Sequence, residues 1–287
     1  MRSAIVMLLA LGYFVSPALF ANDNLRPDII KFTFQNAAVS LGNCSGVLIH
    51  PRVVLSAAHC FIRPKIPKEL RQQKYVYFTH EDIFSLTGEQ VAEVAIKVVD
   101  VLLSPKFGYL GSAFNPKNVW GDLALVLLEE EAPSDYPVFP IAPEQDSFEL
   151  YVNLGFGLRT NSQGLVDAQL SRPLKASELT LKSESLPNQE TIYLNQPKTK
   201  ICRGDSGGPL LGRLNGTWFV IGVNSLIESQ DLDSILDFGS GLSPIQDCGR
   251  TVVVQSAATH RAELEEMLQA LLSKNSIKQD RLMTVSK

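Results

Sequence analysis

Histidine and cysteine are both scarce in this chain, at four residues each out of 287. Imidazole chemistry is therefore confined to His50, His59, His80 and His260. The cysteines stand at 44, 60, 202 and 248, and no two of them have the short C-x-x-C type of spacing that argues for structural zinc. A basic excess is missing too: 26 Lys and Arg face 30 Asp and Glu, a formal net charge of −4. That balance leaves nothing to neutralise a run of phosphates and argues against a nucleic-acid partner. The composition of a disordered chain is also lacking, since 45% of residues are hydrophobic and 20% charged.

Apolar runs of bilayer-spanning length, roughly 20 residues, do not occur. The stretch from Ala4 to Val15 is too short, and it follows a basic Arg2 and precedes Ser16, Pro17, Ala18 and Ala21. This is the layout of a signal peptide, assigned to residues 1–21, with cleavage after Ala18 or Ala21. The expectation is a soluble protein, secreted or periplasmic, with no membrane contact once the signal is removed. In an oxidising compartment four cysteines imply two disulfides and three possible pairings. The local pairing, Cys44 with Cys60 and Cys202 with Cys248, closes the shorter loops and is the one expected.

Most of the remaining chain reads as strand. Short runs rich in Val, Ile and aromatics are bounded by Gly, Pro, Asn or Asp. One series is 47–50, 53–57, 75–79, 91–103 and 123–128, and a second is 150–154, 178–182, 191–194, 210–214, 218–224 and 251–255. Between them, 129–148 carries Pro133, Pro137, Pro140 and Pro143 among acids and reads as an exposed connector. One helix is expected over 259–273, where Leu264, Met267, Leu268 and Leu271 fall on one face. The chain is thus divided into 22–135, 136–256 and a C-terminal helix with its tail, 257–287.

Chemistry enters at Cys202-Arg-Gly-Asp-Ser-Gly-Gly-Pro209. A plain surface turn would explain the composition. Yet glycines beside a serine also let a backbone loop approach a substrate and aim N–H groups at it. Serine alone is a weak nucleophile and needs a base. His50 precedes a proline in a turn, His80 sits among polar residues, and His260 lies in the first turn of the helix. His59 ends a strand in Leu55-Ser-Ala-Ala-His-Cys60, next to a cysteine that can anchor it. The Gly204-x-Ser206-x-Gly208 pattern also matches the elbow of α/β-hydrolases. That fold requires a helix after the serine, whereas Gly207-Gly-Pro-Leu-Leu-Gly212 follows, so the reading is rejected.

Four segments together resemble the signatures of the trypsin/chymotrypsin-like serine proteases, in the family's order. They are Cys44-Ser-Gly-Val-Leu-Ile49, Leu55 to Cys60, Gly121-Asp-Leu-Ala-Leu125 and Cys202 to Pro209. Gly155-Phe-Gly157 resembles that family's Gly-Trp-Gly. The resemblance implies an all-β fold of two six-stranded antiparallel β-barrels with a C-terminal α-helix. It implies His59 as general base, Asp122 as its orienting acid, Ser206 as nucleophile, and the N–H groups of Gly204 and Ser206 as oxyanion hole. No cofactor and no metal are expected.

The chain departs from the family in two places. Family members are activated when a cleavage frees an apolar N-terminus whose ammonium pairs with the Asp before the serine. Asp205 can receive such a charge, but no Arg/Lys-Ile-Val-Gly-Gly stretch occurs in these residues. Another cation, such as Lys198 or Arg250, is the alternative partner. The substrate pocket differs as well. Lys200 stands six before the serine, with Ile201 and Ser225 as further pocket positions. Lys200 argues against cleavage after Arg or Lys, and the acid-rich 227–247 reads as an insertion beside it. The resulting expectation is a secreted serine endopeptidase acting on protein or peptide substrates through an acyl-enzyme, with a protein inhibitor or activator as a possible partner. The alternative is a catalytically latent or inactive protease-fold binding protein.

Overall fold

The structure, a computed structural model, describes residues 34–62, 74–109, 119–144, 147–160, 166–167, 173–181, 185–187, 189–195, 201–228 and 251–275. The first strands are β1 (Val39–Ser40), β2 (Ser45–His50), β3 (Val53–Ser56), β4 (Tyr75–Tyr77) and β5 (Ala95–Leu103). After the small hairpin β6 (Gly108–Tyr109) and β7 (Val119–Trp120) comes β8 (Ala124–Leu128). Six of them close a barrel in the order β1-β2-β3-β8-β5-β4. In β3 and β8 every residue is buried. Alternation explains why such unbroken apolar runs are stable. Val54, Val126 and Leu128 fill the barrel, while Val53, Leu55, Leu125 and Leu127 face the opposite way into a second core.

The second half begins with β9 (Leu150–Gly155), the short pair β10 (Arg159–Thr160) and β11 (Val166–Asp167), then β12 (Lys175–Glu178) and β13 (Thr180–Leu181). It continues through β14 (Thr191–Asn195), β15 (Pro209–Leu214), β16 (Thr217–Glu228) and β17 (Thr251–Ser256). These form one sheet in the order β12-β9-β15-β16-β17-β14-β13. Its two edge strands are parts of a single segment separated only by Leu179, whose N–H bonds to the Tyr151 carbonyl. The two ends of the sheet therefore meet, and a strand broken at Leu179 accounts for seven strands where six are expected. Ile192, Leu210, Ile221 and Val254 fill the inside, and Val152, Leu154, Leu211 and Val223 face the core shared with the first barrel. A helix, Arg261–Lys274, buries Leu264, Met267, Leu268, Leu271 and Leu272 against that shared core.

Two sequence expectations need correction. The run 91–103 is not one strand: Val91 to Val94 belong to α1 (Gly88–Val94), which precedes α2, the C-terminal helix. Thr87 and Gln90 form a reciprocal capping box there, a local signal stronger than the β-branched composition. The proline-rich connector is not simply exposed. Tyr136, Phe139, Ala142 and Phe148 are buried, and Phe139 N–H bonds to Leu48 O while Ala142 N–H bonds to Val220 O. The connector is thus stitched to both halves.

Candidate active site

His59 lies on a one-turn 3-10 helix, Ala58–Phe61, directly after β3. Ala57 and Ala58 are wholly buried, and their small side chains let the turn tuck between the two halves. A disulfide joins Cys60 to Cys44, as the local pairing predicts. Cys60 Sγ lies 3.9 Å from His59 Nε2 and 3.9 Å from the Ser206 carbonyl oxygen. A disulfide sulfur has no hydrogen to donate, so these are contacts. Cys44, Cys60 and His59 also stand close enough to share a metal, but both sulfurs are consumed by their bond and offer no thiolate. Cys202 is disulfide-bonded as well; its expected partner, Cys248, lies outside the described residues.

Asp122 grips His59 twice. Its Oδ1 accepts from the His59 backbone N–H at 2.8 Å, and its Oδ2 accepts from Nδ1 at 2.7 Å. A carboxylate can only accept, so Nδ1 carries a proton, and in the neutral imidazole Nε2 is the nitrogen that keeps its lone pair. The Ser225 hydroxyl donates to the same Oδ2 at 2.5 Å. Asp122 has no exposed surface, whereas the His59 side chain is 31% exposed. Burial alone would lower the imidazole pKa, but the Asp122 charge and hydrogen bond outweigh it and hold His59 above 6.5. Burial likewise opposes the charge on Asp122, and His59 with Ser225 outweighs it, holding the carboxyl below 3.8.

Ser206 is held at the seam by Ser45. The Ser45 N–H bonds to Ser206 O at 2.7 Å, and the Ser45 hydroxyl donates to Gly204 O at 3.0 Å. Among the described residues Ser206 Oγ makes no hydrogen bond to His59 Nε2. Such a bond is commonly long in an enzyme without substrate and tightens when substrate binds. Two peptide planes beside the serine are fixed from behind. The Arg203 carbonyl accepts from Leu158 N–H at 2.9 Å. The Asp205 carbonyl accepts from Gly208 N–H at 2.9 Å and from Asn224 Nδ2 at 3.0 Å. A trans peptide sets each N–H opposite the preceding carbonyl. The N–H groups of Gly204 and Ser206 are thereby turned away from the protein body, and neither has a partner among the described residues. Gly204 has φ +99°, a conformation that a side chain would strain.

The structure thus brings His59, Asp122, Ser206 and Gly204 to one seam. His50 stays at the end of β2, His80 is exposed, and His260 is buried at the N-terminus of α2 beside Gln255. Ser225, expected on the pocket wall, lies in β16 with its hydroxyl on Asp122. Ile201 is 2% exposed and packs in the core of the second half. Lys200, Lys198, Arg250 and most of 227–247 lie outside the described residues; only Ile227 and Glu228 are described, and they continue β16. Sequence reasoning missed Ser45, Asn224 and Lys175. Asn224 and Asn153 exchange amide hydrogen bonds of 2.6 and 3.0 Å deep between strands. A signal was present, because each is an amide in an otherwise apolar strand and has to find a buried partner.

Comparison with known proteins bears on the family and the fold. The family model named Trypsin matches residues 22–247. Phenoloxidase-activating enzyme 1 of Spodoptera litura is 26% identical over 196 residues, which cover 63% of this chain and 51% of that protein. CLIP domain-containing serine protease B4 of Anopheles gambiae is 25% identical over 197 residues, covering 64% and 54%. The chain spans about half the length of these curated relatives. Among solved structures, a mutant of human heparin binding protein (CAP37) matches with a TM-score of 0.53 at 20% identity, over 85% of this chain and 94% of that one. At that identity the likeness is one of fold. With the family model spanning most of the sequence, this chain belongs to the trypsin family.

Proposed function

We propose that the protein is a serine endopeptidase, exported by residues 1–21, that cleaves protein or peptide substrates through Ser206, His59 and Asp122. In this reading Ser206 Oγ bonds to the scissile carbonyl carbon as His59 Nε2 takes its proton. The carbonyl oxygen becomes an oxyanion and is bound by the N–H groups of Gly204 and Ser206. The C–N bond then breaks and His59 passes the proton to the leaving amine. Water repeats the sequence on the acyl-enzyme, again with His59 as base. Asp122 keeps the proton on Nδ1 and offsets the positive charge of the imidazolium. The observation that carries the proposal is the double grip of Asp122 on His59, because it selects the neutral tautomer in which Nε2 is the acceptor.

The test is Ser206→Ala assayed on peptide and ester substrates. Turnover is expected to fall by about 10⁶-fold. Activity within about tenfold of wild type would refute the assignment, since it is far from that loss. The missing hydrogen bond between Ser206 and His59 favours one second reading, a latent or inactive binding protein of the same fold. Labelling of wild type, but not of Ser206→Ala, by a serine-reactive phosphonate separates the two. For specificity, Lys200 is proposed at the base of the pocket, where an ammonium repels Arg and Lys side chains. A peptide series varied at P1 is expected to give its slowest cleavage after Arg and Lys. Fastest cleavage after those residues would remove Lys200 from the pocket.

A further inference from the structure

Asp205 has no exposed surface, and a buried carboxylate must be paired to remain charged. Its Oδ1 accepts from Gly157 N–H at 2.7 Å, and its Oδ2 accepts from Cys202 N–H at 2.7 Å. The charge that meets it is Lys175, whose Nζ lies 2.6 Å from Oδ2 and whose side chain is 7% exposed. The slot is built for the carboxylate. A Cβ added at Gly155 would collide with Asp205 Oδ1, and one at Gly157 would lie 2.6 Å from its Cγ. Lys175 Nζ also donates to Leu158 O at 2.8 Å. Leu158 in turn donates its N–H to Arg203 O, the bond that orients the Gly204 N–H. One ammonium therefore secures both residues that set the loop: Asp205, whose carbonyl fixes the Ser206 N–H, and Leu158, whose amide fixes the Gly204 N–H.

We infer that Lys175 is the positioning residue that holds the oxyanion loop in its working shape from within the fold. Hydrolysis then does not depend on delivering a freed N-terminal ammonium to Asp205, whose Oδ2 is already engaged. Lys175 takes the position that the sequence left open between an N-terminus, Lys198 and Arg250. The inference rests on the serine-protease reading, and its test includes a measurement that does not need turnover.

The exported protein is compared with Lys175→Met, Lys175→Arg and the charge-free pair Lys175→Met/Asp205→Asn, which keeps a folded sample available if the single variant does not fold. Wild type is assayed before and after its α-amine is blocked with cyanate near neutral pH, and is expected to keep its activity. Lys175→Met and the double variant are expected to lose about 10²–10³-fold in kcat, the scale of losing an oxyanion donor, with little change in KM. Lys175→Arg is expected to recover most of the loss. Deuterium exchange across 201–208, read by mass spectrometry, is expected to quicken in the Met variants. A folded Met variant with kcat and exchange like wild type would overturn the inference, as would loss of activity on blocking the α-amine. If no preparation shows Ser206-dependent hydrolysis, the protease reading falls. Exchange then decides the role of Lys175 by itself: quickened exchange supports it and unchanged exchange overturns it.

Discussion

Two carboxylates have no exposed surface, Asp122 on the approach to β8 and Asp205 within the nucleophile loop, and they are satisfied in opposite ways. Asp122 faces an imidazole that is 31% exposed and can gain or lose a proton. Asp205 faces an ammonium that is 7% exposed. The first pair leaves its imidazole partly exposed at the seam. The second pair is sealed among backbone N–H groups and Gly155 and Gly157. The same elementary problem, a buried negative charge, is thus solved once by a partly exposed imidazole and once by an ammonium sealed within the fold. Proposed chemistry gathers at the first, and loop shape is set by the second.

The comparison is broken most severely at its titrating side. Asp122→Asn is expected to lower kcat by about 10⁴-fold, because the amide donates where the carboxylate accepts and selects the wrong tautomer of His59. The folded state should persist, which near-ultraviolet circular dichroism checks. Next comes the staple of that side. Replacing Cys44 and Cys60 by serine is expected to cost about 2–5 kcal/mol in denaturant melts. The smaller polar support is the Ser225 hydroxyl. Ser225→Ala should reduce kcat/KM by roughly 10- to 100-fold, the scale of a hydrogen bond to a charged group. The gentlest probe is pH. Since His59 must be neutral to act as a base, kcat/KM is expected to rise with pH through a value above the ordinary 6.5. In Asp122→Asn the imidazole resonance is expected to titrate below 6.5, because burial is then unopposed. The sign for stability runs the other way. The raised His59 contributes fully below 6.5, and that contribution is lost as pH climbs through its folded value. The depressed Asp122 contributes above 3.8 and loses its contribution as pH falls through its lower folded value.

Residues with local signals were legible in the sequence. His59, Asp122 and Ser206 sit in short motifs, and β3 and β8 announce themselves by continuous apolar runs. Lys175 was not legible, because a lysine between Leu174 and Ala176 looks like any strand residue. Its meaning depends on pairing across β9, which brings it to a carboxylate 30 positions away. The hydrogen bond from Ser225 to Asp122 was not legible for a related reason. Which way its hydroxyl turns depends on the β-bulge between Asn224 and Leu226. The exposed reading of 129–148 failed because prolines mark irregular backbone, not exposure. A segment with few sheet bonds can still bury Tyr136, Phe139 and Phe148.

Lys175 is also the first residue of β12, one part of the broken strand in which the second sheet meets itself at Leu179. Lys175 and Asp205 reach each other only when β9 has paired on one side with β12 and on the other with β15. The pair therefore reports on completion of the sheet. A nascent or partly unfolded chain leaves Asp205 unmatched and its loop unset. In such a molecule, competence would be a property of finished tertiary structure, and assembly itself would be the safeguard against a hydrolase that acts before it is whole.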